Sequence, residues 1–174
     1  MSANSISTYI LLDNYVQDKK EYDSDHKLLK HEACSLDKKR IHLSEYEYYE
    51  NGVIKSIKSY TKDDLAFVIK IISDYDNKGN LVKQKRDYTS GSDVTLYSEG
   101  NPVKMTKYAI DGIKASVTEY NDIGSPARVY TYNSKGEIDY ISEYVYTESG
   151  ILTEERILSA DGTIANEIKY SQSA

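Results

Sequence analysis

Glycine recurs at a fixed step along most of this chain, and that step leaves few folds open. Gly52, Gly79, Gly91, Gly100, Gly112, Gly124, Gly136, Gly150 and Gly162 include five steps of 12: 79 to 91, 100 to 112, 112 to 124, 124 to 136 and 150 to 162. Such a step holds one strand of about seven or eight residues and a short turn. Strands at a regular spacing of about 8–12 residues point to an all-β meander or barrel.

The residues around the glycines agree. Tyr48-Tyr49-Glu50-Asn51-Gly52-Val53-Ile54, Tyr75-Asp76-Asn77-Lys78-Gly79-Asn80-Leu81, Tyr132-Asn133-Ser134-Lys135-Gly136-Glu137-Ile138 and Tyr146-Thr147-Glu148-Ser149-Gly150-Ile151-Leu152 share one form. A tyrosine is followed by polar residues, a glycine, and then a β-branched residue or leucine. Glycine supplies the positive φ of a tight hairpin, and Asn, Asp and Ser bond their own backbone in turns. A second turn type carries Asp-Gly, at Asp111-Gly112 and Asp161-Gly162. Tyr60 to Leu65 takes an equivalent place without glycine, and Tyr22 to Leu28 reads as a worn turn of the first type. The turns at 97–103 and 120–126 read as carrying shifted glycines.

The segments between turns read as strands. Ile113 to Tyr120 and Val103 to Tyr108 alternate apolar and polar residues, so one face is packed and the other wet. Leu65 to Ile72 is apolar on both faces, which predicts the most buried strand, with Phe67, Val68, Ile69 and Ile71 in the core. No segment of helical length shows capped apolar periodicity, although Asp18 to Arg40 is the weakest stretch for strands and admits a short helix. The expected fold is one all-β domain over residues 1–174. It is a single-domain antiparallel β-meander of about twelve turns and thirteen short strands, with repeats from about residue 9 to 170, forming an extended curved sheet. Large aliphatics are too few to fill a thick sandwich. The 18 tyrosines among 174 residues compensate, since the ring covers cross-strand neighbours while the hydroxyl stays wet. The same tyrosines, with Ile and Val, argue against disorder. Lys55, Lys58, Lys83, Lys85, Glu143, Glu154 and Glu155 suit a solvated face.

The formal net charge is −6. An acidic chain repels phosphate backbones, which argues against nucleic acid, and attracts basic partners. The single Cys34 excludes an internal disulfide framework. Met1 to Thr8 has no basic residue, and the apolar run Tyr9 to Leu12 is broken by Asp13. Neither a signal peptide nor a membrane-spanning helix is expected there, and the expected location is the cytoplasm.

Catalytic signals are missing. His26, His31 and Cys34 are the one candidate metal cluster, but a strand points His31 and Cys34 to opposite faces, and three ligands make a poor structural site. There is no phosphate-binding glycine loop, nucleophile elbow or His-Glu-x-x-His. Asp63-Asp64, Glu154-Glu155 and Glu45 with Glu47 are carboxylate pairs, and the last pair has a spacing that a glycosidase could use. A flat repetitive sheet offers no deep pocket for them. The expectation is a protein that is not an enzyme, with no cofactor and no metal.

The turn Tyr75-Asp76-Asn77-Lys78-Gly79-Asn80-Leu81 resembles the YD or RHS repeat, a bacterial β-hairpin repeat. Tyr48 to Ile54 is similar to the variant MORN repeat of a class of bacterial antitoxins. The turns at 48–54, 75–81 and 132–138 match well, whereas the first forty-five residues and 88–103 depart from the pattern. The resemblance implies an extended curved sheet and a place in toxin systems. For so short and acidic a chain, it implies an immunity protein that binds and neutralises a basic toxin domain. A structural or adhesive module of a surface protein, and a carbohydrate-binding sheet using exposed tyrosine, are the alternatives.

Two runs combine acid and aromatic residues most densely: Glu45-Tyr46-Glu47-Tyr48-Tyr49-Glu50, and Asp139-Tyr140-Ile141-Ser142-Glu143-Tyr144-Val145-Tyr146. Alternation puts Glu45, Glu47 and Tyr49 on one face against Tyr46, Tyr48 and Glu50. It puts Tyr140, Tyr144 and Tyr146 on one face against Asp139, Glu143 and Val145. Tyrosine is a favoured anchor at interfaces, and neighbouring carboxylates would pair with a basic partner. Glu45, Tyr46, Glu47, Tyr48, Tyr49, Asp139, Tyr140, Glu143, Tyr144 and Tyr146 are therefore the candidate partner-binding residues.

Overall fold

A computed structural model describes residues 4–8, 17–34, 40–62 and 68–170. They form fourteen strands and, among the described residues, no helix: β1 (Asn4–Thr8), β2 (Gln17–Tyr22), β3 (Leu28–Cys34), β4 (Arg40–Tyr48), β5 (Ile54–Lys62), β6 (Val68–Tyr75), β7 (Leu81–Tyr88), β8 (Gly91–Ser98), β9 (Asn101–Ala109), β10 (Lys114–Tyr120), β11 (Pro126–Tyr132), β12 (Ile138–Tyr146), β13 (Leu152–Ser159) and β14 (Ile164–Lys169). The chain divides into two compact units, 1–89 and 90–174, of seven strands each. Within each unit every strand pairs antiparallel with its neighbours in sequence, as a meander does. The expected count of thirteen strands is one short, because β1 lies before residue 9, where the repeat pattern of the sequence starts. The stretch from Asp18 to Arg40 holds β2 and β3 rather than a helix.

Six hairpins share one construction. A tyrosine ends the first strand, a residue with positive φ stands four places on, and the tyrosine pairs with the residue six places on. Tyr22 faces Leu28, Tyr48 faces Ile54, Tyr75 faces Leu81, Tyr120 faces Pro126, Tyr132 faces Ile138 and Tyr146 faces Leu152. At each of these the register shifts by a bulge, which absorbs the extra loop residue. The turn at 120–126, expected to be shifted, therefore follows the common plan: Asn121 N–H donates to the Ser125 carbonyl and Gly124 N–H to the Asn121 carbonyl, both at 2.9 Å. The connection after β8 does differ. It is a two-residue turn in which Glu99 and Gly100 both have positive φ.

The two turn types expected from sequence share one backbone. The side-chain acceptor sits at one of two places, and the place does not follow the type, since Asn51 of a first-type turn stands where Asp111 and Asp161 do. At the first loop position Asp76 Oδ1 accepts from the N–H groups of Lys78 and Asn80, and Asn133 Oδ1 from those of Lys135 and Glu137. At the third position Asp111 accepts from Ile113 N–H, Asp161 from Thr163 N–H, and Asn51 from Val53 N–H. In the worn turn Asp23 plays the first role, while His26 stands where the other loops have glycine, at φ 62°. A left-handed residue costs about 1–2 kcal/mol when it is not glycine, against about 0.4–1 kcal/mol of extra chain entropy for glycine. His26→Gly is therefore expected to stabilise the chain by about 0.5–1 kcal/mol, read as a higher urea midpoint at constant slope. A lower midpoint would count against this reading of the turn.

The sheets are single layers, and burial follows from that. In the second unit Val94, Thr106, Val117, Tyr130, Ile141 and Leu158 stand directly opposite one another along six strands and so share one face. Among the described residues four hydrophobic side chains are buried, and this row holds three of them: Val117 at 5%, Leu158 at 7% and Ile141 at 8% exposure. On the other face the row Thr95, Met105, Thr118, Val129, Ser142, Ile157 alternates short hydroxyls with longer side chains. Thr95, Thr118 and Ser142 are buried there because their neighbours overhang them. In the first unit Leu43, Ser44, Ser56 and Ser73 are buried. The expectation that Leu65 to Ile72 forms the most buried strand fails at Ile71, which is only half-buried. Apolar character on both faces buries a strand only when both faces are covered by another layer. Phe67, and the side chains of Val68 and Ile69, lie outside the described residues.

Candidate functional site

The first acid-aromatic run lies at the end of β4, where the strand passes into the turn toward β5. A groove of about 510 Å³ opens there, lined by Tyr46, Glu47, Tyr48, Tyr49 and Glu50 together with Asp23, Lys27, Leu29 and Lys55. Two of its tyrosines are fixed through their hydroxyls. Tyr48 O–H donates to the Leu28 carbonyl at 2.8 Å, and Tyr49 O–H to the Tyr75 carbonyl at 2.8 Å. Burial pushes the Tyr48 phenol up, with further contributions from Tyr46 and Asp23. The Lys27 ammonium lies 5.8 Å over the Tyr48 ring centroid, within cation–π range.

The alternation expected for this run holds only inside the strand. Glu45 and Glu47 share a face, but β4 ends at Tyr48, so Tyr49 and Glu50 belong to the turn, where Tyr49 N–H donates to the Val53 carbonyl. Glu47 binds Lys58 Nζ at 2.7 Å, and this hydrogen bond holds its carboxyl below the usual range. Glu45 stands opposite Lys30 on one side and Lys58 on the other.

The second run forms β12. Tyr140 and Tyr144 share a face opposite Asp139, Glu143 and Val145, and the pairing shifts at Tyr146. Tyr146 O–H donates to the Pro126 carbonyl at 2.9 Å, the same twenty-residue reach as Tyr48 to Leu28. Both hydroxyls thus stitch one hairpin to the hairpin before it on the same edge. Tyr140 is exposed and Asp139 is exposed, while Glu143 is half-buried and ion-paired with Arg128.

Glu143 belongs to a row that sequence reading missed. Lys104, Glu119, Arg128, Glu143, Arg156 and Glu167 stand opposite one another across β9 to β14, alternating in sign at every step. Lys104 binds Glu119 at 3.5 Å, Arg128 binds Glu143, and Arg156 binds Glu167 at 3.3 Å. In the first unit Glu21, Lys30, Glu45 and Lys58 alternate in the same way. Each cross-strand opposite-charge pair is worth about 0.2–1 kcal/mol. Arg128→Glu would set three carboxylates side by side, an expected loss of about 1–2 kcal/mol. The loss should shrink in about 1 M salt, where screening is strong. An equal loss at low and high salt would mean that packing, not charge, carries the effect.

A smaller groove of about 250 Å³ lies on the second unit, between Tyr108, Tyr130 and Tyr132, with Lys104 and Lys114 at its sides. Lys114 Nζ lies 5.0 Å over the Tyr132 ring.

The residues weighed for metal binding do not converge. His26 sits in its turn, His31 contacts Asp18 and meets the His42 ring edge-on at 5.9 Å, and Cys34 Sγ lies 3.7 Å from Glu32 Oε1. Among the described residues no group of three or more His, Cys, Asp or Glu is placed to hold a metal ion. No helix among them is long and apolar enough to cross a membrane.

No family model and no curated protein matches the sequence. Among solved structures, a point mutant of S. aureus TarM in complex with Fondaparinux, alpha-GlcNAc-glycerol and UDP is similar at a TM-score of 0.39 and 11% identity, over 64% of this chain and 21% of that one. The chain spans about a fifth of the length of that structure, and so low a TM-score carries no argument about fold or function.

Proposed function

We propose that this chain is a non-enzymatic protein-binding module of the immunity type, which seats a basic toxin domain on the hairpin end of β4. The observation that carries this reading is the groove at Tyr46 to Glu50. It presents tyrosines held by their own hydrogen bonds beside Asp23, Glu47 and Glu50. Rigid aromatic anchors that need no further ordering, with carboxylates around them, are what an interface for a basic protein requires. The net charge of −6 supports it by speeding encounter with such a partner. The turn motifs at 48–54, 75–81 and 132–138 resemble repeats found in bacterial toxin systems.

The test starts from the full chain as bait in its native strain. Any captured basic protein is then purified and expressed alone and together with the chain. The expected result is toxicity that co-expression relieves, and an affinity that falls as salt rises. The double variant Glu45→Lys, Glu47→Lys should bind more weakly, whereas Asp139→Lys, Glu143→Lys should not. A captured protein whose toxicity the chain leaves unchanged would overturn the reading. So would a folded Glu45→Lys, Glu47→Lys variant that binds it with unaltered affinity and salt dependence.

A further inference from the structure

We infer that the groove of the first unit takes a guanidinium group, and that Lys27 occupies the guanidinium's place until a partner supplies it. The inference rests on the protein-binding reading for the source of that group, an arginine side chain of a basic protein. Its geometry stands independently.

The site already holds a cation. Lys27 projects its ammonium over the face of Tyr48, and a methyl group placed on Gly52 would meet Lys27 Cε at 3.6 Å, so the lysine stem runs along the neighbouring turn. The ring beneath it is fixed, because the Tyr48 hydroxyl is bound to the Leu28 carbonyl. Asp23, Glu47 and Glu50 line the same groove, against Lys27 and Lys55. Lys58 reaches Glu47 from the neighbouring strand. With Lys27 swung out, Asp23 and Glu50 face Lys55, while Glu47, on the opposite face of β4 from Tyr46 and Tyr48, stays bound to Lys58. The vacated position then combines an aromatic face with excess negative charge.

The chemistry of the exchange selects arginine over lysine. Replacing one ammonium by another over the same ring gains nothing. A guanidinium is more weakly hydrated, stacks flat on an aromatic face, and can bond a carboxylate through two N–H groups at once. Lys27 sits beside His26 in a turn with a left-handed residue, and its side chain is only half-buried, so no packing core opposes its departure.

The experiment uses the full chain with ring-¹³C-labelled tyrosine, followed by NMR. The probes are acetyl-Gly-Arg-Gly-Arg-Gly-amide and its lysine counterpart. The arginine peptide is expected to move the Tyr48 and Tyr46 signals first and to bind several-fold tighter than the lysine peptide. Lys27→Gln should tighten arginine binding about two- to fivefold, since a competing cation–π contact is removed. Glu50→Gln, at an exposed position, should weaken it with the fold intact. Unchanged or weaker binding by Lys27→Gln, or equal affinity for the two peptides, would overturn the inference. The captured basic protein separates the two proposals. If Glu45→Lys, Glu47→Lys lowers its affinity while Lys27→Gln and Glu50→Gln leave it unaltered, the groove inference fails and the protein-binding reading stands. If the peptide results hold but no captured protein is neutralised, the functional reading fails alone.

Discussion

Replacing Gly91 by alanine is expected to cost about 3 kcal/mol or more, the largest loss of any glycine substitution in the chain. Gly91 opens β8 at φ 144° and stands opposite Ala109 in the ladder with β9. An added Cβ would overlap the Tyr108 carbonyl oxygen and sit 3.2 Å from the Ala109 carbonyl carbon. Both are backbone atoms inside a paired strand, so relief requires breaking the ladder rather than turning a side chain. Strain at such a φ is worth about 1–3 kcal/mol, and overpacking a similar amount. Gly100, Gly112 and Gly162 serve as controls. They also have positive φ, but a Cβ there meets nothing within 4 Å, so only the conformational part of the cost should appear. Urea unfolding of the four alanine variants gives the comparison. A loss below about 1 kcal/mol at Gly91 would show that the close approach to Tyr108 is not maintained.

Ile141→Ala is expected to cost about 2–4 kcal/mol. Ile141 lies between Tyr130 and Leu158 in the apolar row of the second unit, at 8% exposure. In a single-layer sheet no second layer can settle into the space, so the neighbours on either side lose contact and the groups beneath meet water. Ile110, at 80% exposure in a turn, is the control, and truncating it should change stability by less than about 0.5 kcal/mol. If the two variants unfold at the same urea concentration, the row is not the packing core of its unit.

The all-β meander was legible because turn chemistry is local. Gly79 needs its left-handed backbone and Asp76 bonds its own loop whatever the rest of the chain does. The register was legible as well, although only through a rule that glycine spacing alone conceals. Once a tyrosine is set opposite the residue six places on, the bulge fixes which residues oppose each other behind it. Glu119 then falls against Arg128 and Glu45 against Lys58. Counting from glycine to glycine hid this, and made the ordinary turn at Tyr120 look displaced. Burial was misread for a different reason. The apolar run of Leu65 to Ile72 says which residues avoid water, but not whether a second layer exists to exclude it. Of the candidate site, the tyrosines and carboxylates of residues 45–50 could be read directly. The cation above Tyr48 could not, because Lys27 comes from the neighbouring hairpin, and only the stacking of turns along one edge brings it there.

Among the described residues, a strand within each unit touches only the strands before and after it in the chain. The contacts that define the fold are therefore short in sequence, and forming one requires no distant segment to have been found first. Such a chain should assemble quickly, one hairpin templating the next. It should also come apart by degrees, fraying from its outermost strands inward, as arrays with nearest-neighbour coupling do. Amide exchange would then read as a gradient along each unit, with protection greatest on the middle strands. The same independence means that a hairpin gained or lost by duplication would leave the packing of the others intact, so a sheet of this kind can change its length without having to invent a new core.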